Sequence, residues 1–264
     1  MARFLRYEKN GIVRYGELKG DTIRPLDGEF GDFRPSSDPT VRLDEVSLLA
    51  PCVPSKIIAV GPNCHTTLRL RNMPVPERPA FWLKPSTTLN HPEGYIELPQ
   101  GWAHDICNHE VELGTVIGKK AKDVPESEAL DYIFGYTCVN EVCAADFGTP
   151  GAFAMPIMID GKTFDTFAPI GPWIVTDLDT SDLAMICRVN GEVRQNDSTR
   201  NFIFPPAKMV AMASAVMTLL PGDVISSGSV PGLTHMRAGD VIEIEIENIG
   251  VLRNHVRDRP ARVR

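Results

Sequence analysis

Apolar positions along this chain recur mostly in short runs cut by Gly, Pro, Asn and Asp, the pattern of strands joined by turns. The opening stretch FLRYEKNGIVRYGELKGDTIRPL (4–26) reads as short strands broken at Asn10-Gly11 and at Lys19-Gly20-Asp21. Residues 1–50 are therefore expected to form a small N-terminal β domain, and RPSSDPT (34–40) a loop leading to a second unit over 51–264. From PSKIIAVG (54–61) onward, β-branched runs alternate with Pro/Gly turns. Helical patterns are few. SEALDYIFGY (127–136) is one, and 206–220 is the other, a buried helix ended by Pro221-Gly222. Near the C-terminus PGDVISSG and AGDVIEIEIENIGVL each open with a Gly-Asp turn, and the second alternates Ile with Glu. The predicted fold class is mainly β with a few helices, an α+β chain.

One strand pattern carries chemistry. In HEVELGTVIG (109–118), Glu110 and Glu112 stand two apart and so share a face, while Val111 and Leu113 point the other way. The continuation GTVIG predicts a strand at least half buried. Two arrangements fit. The acids are the solvated face of an edge strand, or they are half-buried and need cations or a metal beside them. Oxygen-only donors suit a hard divalent ion such as Mg²⁺, Mn²⁺ or Ca²⁺. FGYTCVNEVCAADFG (134–148) adds Glu141 and Asp146 in a stretch of small and apolar residues with few charges. With a third acid, the pair would become a facial oxygen site with positions left for substrate and water.

Composition narrows the function classes. With 264 residues, 43% hydrophobic and 23% charged, the chain can bury a sizeable core and shows no disorder signature. Its net charge of −7 is interspersed, with no basic stripe, which argues against a nucleic-acid partner. The charged start MARFLRYEKNGIVRYG lacks a signal-peptide core, and Met209–Leu220 is too short to span a bilayer. A cytoplasmic protein without a membrane partner is expected. Six scattered cysteines without a C-x-x-C pair read as buried small hydrophobes rather than a zinc site. DGKT (160–163) ends like a phosphate loop, but Pro156 stands where a glycine is required. HEVEL lacks the second histidine of a zinc-protease helix, because Leu113 occupies that place.

Taken together, the blocks KIIAVGPN, PAFWLKP, HEVELGTVIGKKAKDV, IFGYTCVNEV, GKTFDTFAPIGPWIV, VNGEVRQ, LLPGDVISSG and AGDVIEIEIENIGVLRN resemble, in collinear order over about 54–252, the fumarylacetoacetate hydrolase family. The resemblance implies a mixed β-sandwich or roll around one divalent ion, Mg²⁺ or Mn²⁺, a smaller N-terminal β domain, and a homodimer. It implies that Glu110, Glu112 and Glu141 ligate the metal, Glu141 standing where the family usually has Asp. It implies that Lys162 stabilises charge developing on the substrate. Gln195 and the Ser227-Gly228-Ser229 turn, usually Thr-Gly-Thr, match substrate-contacting positions.

The departures decide the reaction. Hydrolytic members carry a His and a Glu three residues apart shortly after the VGxN segment, a pair that activates water. Ungapped alignment from Gly61 places Thr67 and Leu70 there, neither of them a base at neutral pH. Ala145 replaces a frequent arginine. His65 lies two residues before the expected histidine and is the candidate to replace it. The expectation is therefore an enzyme acting on a small oxo acid, a 2-oxo or 2-hydroxydienoate substrate of aromatic catabolism, through a metal-stabilised enolate. Decarboxylation or keto–enol isomerisation leads; hydrolysis of an acylpyruvate is the alternative. A non-catalytic member that binds metal and oxo acid is a reading of another class.

Overall fold

The computed structural model describes residues 1–100, 106–145 and 161–260. Asp146 and Pro156 lie outside the described residues. The mainly β expectation holds. Among the described residues, one sheet of thirteen strands and one of five carry the fold. The main path of the larger sheet runs Arg34–Pro35, Thr22–Asp27, Ile12–Lys19, Arg3–Lys9, Ala168–Val175, Ile133–Asn140, Val111–Ile117, Val224–Ser226, Ile57–Gly61 and Ala80–Lys84. The smaller runs Tyr95–Leu98, Gly250–Asp258, Val241–Ile246, Ala184–Val189 and Glu192–Ser198.

Local chemistry explains the first hairpin. Asn10 and Gly11 both adopt positive φ, 54° and 78°, as a two-residue hairpin turn needs, and they join Arg3–Lys9 to Ile12–Lys19. The N-terminal strands continue the larger sheet, because Arg3 and Phe4 pair with Val175 and Ile174. In the smaller sheet, Val241–Ile246 buries Ile242, Ile244 and Ile246 and turns its glutamates outward, the alternation read from the sequence.

The two sheets close on one core, in which Val111, Leu113, Cys138 and Val142 meet Met185, Cys187, Ile242, Ile244 and Leu252. Helix Pro206–Val216 covers another part of the larger sheet, Met209, Val210 and Ala213 packing on Ile58, Val60, Ile117 and Ile225. That helix ends before Pro221-Gly222. Met217 is already extended, and Leu219 pairs with Ala121 instead. The other helical expectation is corrected more deeply. SEALDYIFGY divides into a 3-10 helix, Glu126–Tyr132, and the first part of strand Ile133–Asn140. Ile133, Tyr136 and Thr137 are strand formers, and pairing on both sides of the sheet outweighs a short helical pattern.

All six cysteines are buried, and none forms a disulfide. Among the described residues, no helix is long and apolar enough to cross a membrane.

Candidate metal centre

Strand Val111–Ile117 lies between Ile133–Asn140 and Val224–Ser226, and all seven of its residues are buried. The solvated edge-strand arrangement is thereby excluded. Val111 and Leu113 enter the inter-sheet core, while Glu110 and Glu112 open on a cavity of about 640 Å³. Two hydrogen bonds clamp the neighbouring strand end to this one. The Glu110 N–H donates to Asn140 Oδ1 at 2.9 Å, and the Glu141 N–H donates to the Glu110 carbonyl at 3.0 Å. Glu141 is thus drawn beside Glu110, and carboxylate oxygens of Glu110, Glu112 and Glu141 all lie within 4.8 Å of one another.

Each acid has its own support. Glu112 Oε2 accepts from Ser226 Oγ and, at 2.9 Å, from the Gly228 N–H. Glu110 Oε1 accepts from Lys162 Nζ at 2.6 Å, and the same ammonium donates to Glu141 Oε2. On its other side Glu141 Oε1 lies 2.9 Å from Nζ of Lys84, a fully buried lysine that also donates to the Val142 carbonyl. Among the described residues, three carboxyl groups therefore face two ammonium groups, one acid more than the two bases can balance.

The electrostatics follow from that imbalance. Burial pushes the Glu110 carboxyl up to about 7, against the pull of Lys162. Burial, reinforced by the charges of Glu141 and Glu110, raises Glu112 well above the usual carboxylate range. Burial lowers Lys84, with Glu141 opposing the shift. Burial also works against the charge of Lys162, but its surroundings outweigh this and hold the ammonium well above its ordinary value. The nearby Cys143 thiol is pushed up by its own burial to about 12, so the field at Lys162 comes from Glu110, Glu141 and Glu112 in so far as they are ionised. This donor set fits a hard divalent cation: oxygen atoms only, surplus negative charge and an opening to the cavity.

The other residues singled out in the sequence divide into two groups. Ser229 lines the cavity. Gln195 is fully buried behind it: Nε2 donates to Ser229 Oγ at 2.9 Å and to the Val230 carbonyl, and Oε1 accepts from the Val111 N–H. Ser227 is buried too, its Oγ accepting from the Leu113 N–H at 2.9 Å. Gly228 has φ +89°, and a Cβ there would stand 2.7 Å from the Val60 carbonyl oxygen. Glycine lets the turn present its N–H to Glu112.

Helix His65–Leu70 presents Thr67 and Leu70 to the cavity, whereas His65, its first residue, is not among the lining residues. Among the described residues, buried Thr67 Oγ1 and Trp82 Nε1 have no hydrogen-bond partner, and both residues line the cavity. Lys84, Trp82, Asn108, Ser226 and His235 received no role in the sequence reading. Lys84 had one legible signal, a lone charge closing the apolar run AFWL.

Comparison with known proteins agrees with these features. The model of the fumarylacetoacetate (FAA) hydrolase C-terminal region matches residues 56–257, and an Rv2993c-like N-terminal model matches residues 2–51. A crystal structure of 5-carboxymethyl-2-hydroxymuconate delta-isomerase from Mycobacterium smegmatis is 38% identical, with TM-score 0.87, covering 97% of this chain and 100% of that one. The mitochondrial oxaloacetate tautomerase fahd2 of Xenopus laevis is 37% identical over 222 residues, 80% of this chain and 68% of its own length. Maleylpyruvate hydrolase from Sphingobium sp. SYK-6, in complex with manganese(II) ion and pyruvate, is 29% identical, with TM-score 0.77 and coverage of 97% and 99%.

Proposed function

Because the chain belongs to the fumarylacetoacetate hydrolase family, we propose that it is a divalent-metal-dependent isomerase of 2-oxo acids, moving a proton between carbon and oxygen through an enolate. The observation that carries this reading is the cavity wall. Beside three acids and Lys162, the helix facing them offers Thr67 and Leu70, which cannot deprotonate water. Relatives whose names give isomerase and tautomerase activities support the same choice.

Glu110, Glu112 and Glu141 would hold the ion, Mg²⁺ or Mn²⁺, which when bound supplies a Lewis acid for the carboxylate and oxo oxygens of the substrate. Lys162 places a fixed positive charge beside the same oxygens, where negative charge develops as the enolate forms. The Gly228 N–H and the Ser226 hydroxyl fix the Glu112 carboxylate. Lys84 does the same for Glu141 from behind. Gln195 holds the Ser229 hydroxyl at the wall, where it can donate to a substrate carboxylate. Val60, Leu70, Met73, Trp82 and Leu233 supply an apolar lining for the carbon skeleton of the substrate. A homodimer is part of the proposal, and sedimentation analysis tests it.

The deciding experiment supplies oxaloacetate, an acylpyruvate and a hydroxymuconate-type dienoate with Mg²⁺ or Mn²⁺ in H₂¹⁸O. Keto–enol interconversion seen in the ultraviolet, without ¹⁸O in a cleaved product, is expected. Release of CO₂ would place the enzyme among decarboxylases using the same enolate. A cleaved acid carrying ¹⁸O would refute the reading in favour of hydrolysis, the activity named for the manganese-bound relative. Metal binding with no turnover of any substrate would favour a binding protein.

A further inference from the structure

Moving a proton to and from carbon needs a group that can take it and give it back. Among the described charged or basic residues lining the cavity, Glu110 and Glu112 are taken up as ligands, and Lys162 Nζ is engaged by the Glu110 and Glu141 carboxyl groups. Arg71 at the rim stays protonated in any protein. That leaves His235, a residue to which the sequence reading gave no role.

Its setting fixes its chemistry. Asn108 Nδ2 donates to the Ala145 carbonyl at 2.6 Å, which settles the orientation of that amide. Asn108 Oδ1 therefore faces His235 Nδ1, 3.0 Å away, as an acceptor. In the neutral ring this places the proton on Nδ1 and the lone pair on Nε2. Backbone pairing holds the two residues together: Asn108 and His235 form a β-bridge, and the Met236 N–H donates to the Cys107 carbonyl at 2.8 Å. Asn108 is two residues before Glu110, so the oriented imidazole belongs to the same wall as the metal ligands.

We propose that His235 is the proton-transferring residue of this site and that Asn108 is its positioning residue. This rests on the enolate reading above. Nε2 takes the proton from the carbon next to the oxo group; the C–H electron pair becomes the C=C bond, and the carbonyl π pair moves onto oxygen. Return of one proton to that oxygen gives the enol. The net change is one proton moved from carbon to oxygen, with no water or oxidant consumed.

The test uses the Mn²⁺-loaded protein with oxaloacetate, following both tautomer interconversion and deuterium uptake from D₂O at the carbon beside the oxo group. H235Q should slow both by about 10²–10⁴-fold, the usual worth of a general acid–base group. Mn²⁺ affinity should stay within twofold of wild type. Added imidazole should restore part of the rate to H235A. N108A should lower kcat while leaving KM and Mn²⁺ affinity unchanged. His235 is exposed, so its variants should fold; Asn108 is buried, and melting curves check that N108A folds as well. Wild-type exchange that H235Q retains within threefold overturns the assignment and leaves the enolate reading standing. No exchange by the Mn²⁺-loaded wild type, nor by the protein loaded with Mg²⁺ instead, overturns both.

Discussion

Lys84→Met removes one of two cations from the buried acid cluster while keeping the volume of the chain. Lys84 is fully buried, its Nζ lies 2.9 Å from Glu141 Oε1, and it donates to the Val142 carbonyl at 3.1 Å. With it gone, Lys162 is the one ammonium among the described residues that faces the three carboxyl groups, and the Val142 carbonyl loses the Lys84 donor. Removing one partner of a buried ion pair costs about 3–5 kcal/mol. Because Glu141 keeps Lys162, the lower end applies, about 3 kcal/mol. At roughly 2–4 °C per kcal/mol for a chain of this size, melting in EDTA should fall by about 6–12 °C. Saturating Mn²⁺ acts in the opposite direction. A dication added to a cluster that has lost a cation relieves more repulsion, so the metal-induced rise in Tm should exceed that of wild type. Differential scanning fluorimetry with EDTA and with Mn²⁺ measures both. A variant that melts within 2 °C of wild type in EDTA would refute the assignment of Lys84 as a charge-compensating residue. A smaller metal-induced rise would show that Lys84 acts by placing Glu141 rather than by its charge.

Glu110→Gln combined with Glu112→Gln should abolish metal binding by calorimetry while the fold persists. Wild type should gain about 2.7 kcal/mol at a metal concentration 100-fold above Kd, and the double variant nothing. Gly228→Ala forces a side chain into φ +89° with its Cβ 2.7 Å from the Val60 carbonyl oxygen, so urea denaturation should show a loss of at least about 1–3 kcal/mol. His91 accepts from the Ala50 N–H through Nδ1, and burial with the nearby Arg6 charge lowers its pKa below the ordinary 6.5. The unfolded chain therefore binds more protons below 6.5, and stability falls as pH drops through that value. His91→Gln should lose less Tm than wild type between pH 7.5 and pH 5.5, and an equal loss would remove His91 from the account.

What the sequence disclosed followed the range of the interactions involved. Glu110 and Glu112 were legible as a same-face pair because strand alternation is local, and the Asn10-Gly11 hairpin was legible because positive φ favours those two residues. Whether the pair faced solvent was not legible. That depended on Ile133–Asn140 and Val224–Ser226 flanking the strand, the second lying more than a hundred residues away. The same limit hid the pairing of His235 with Asn108, 127 positions apart, and led attention to His65 because of its place beside the VGxN segment. The cavity instead takes Thr67 and Leu70 from that helix, the two positions where ungapped alignment had placed the missing water-activating pair. A histidine fixed by a buried amide can hand a proton to carbon and back. Activating water for hydrolysis requires a base aimed at it from the place the hydrolytic pair takes, and Thr67 and Leu70 supply none. Thr67 and Leu70 in place of the water-activating pair, together with the oriented imidazole, are the grounds for the proposal of proton transfer without hydrolysis.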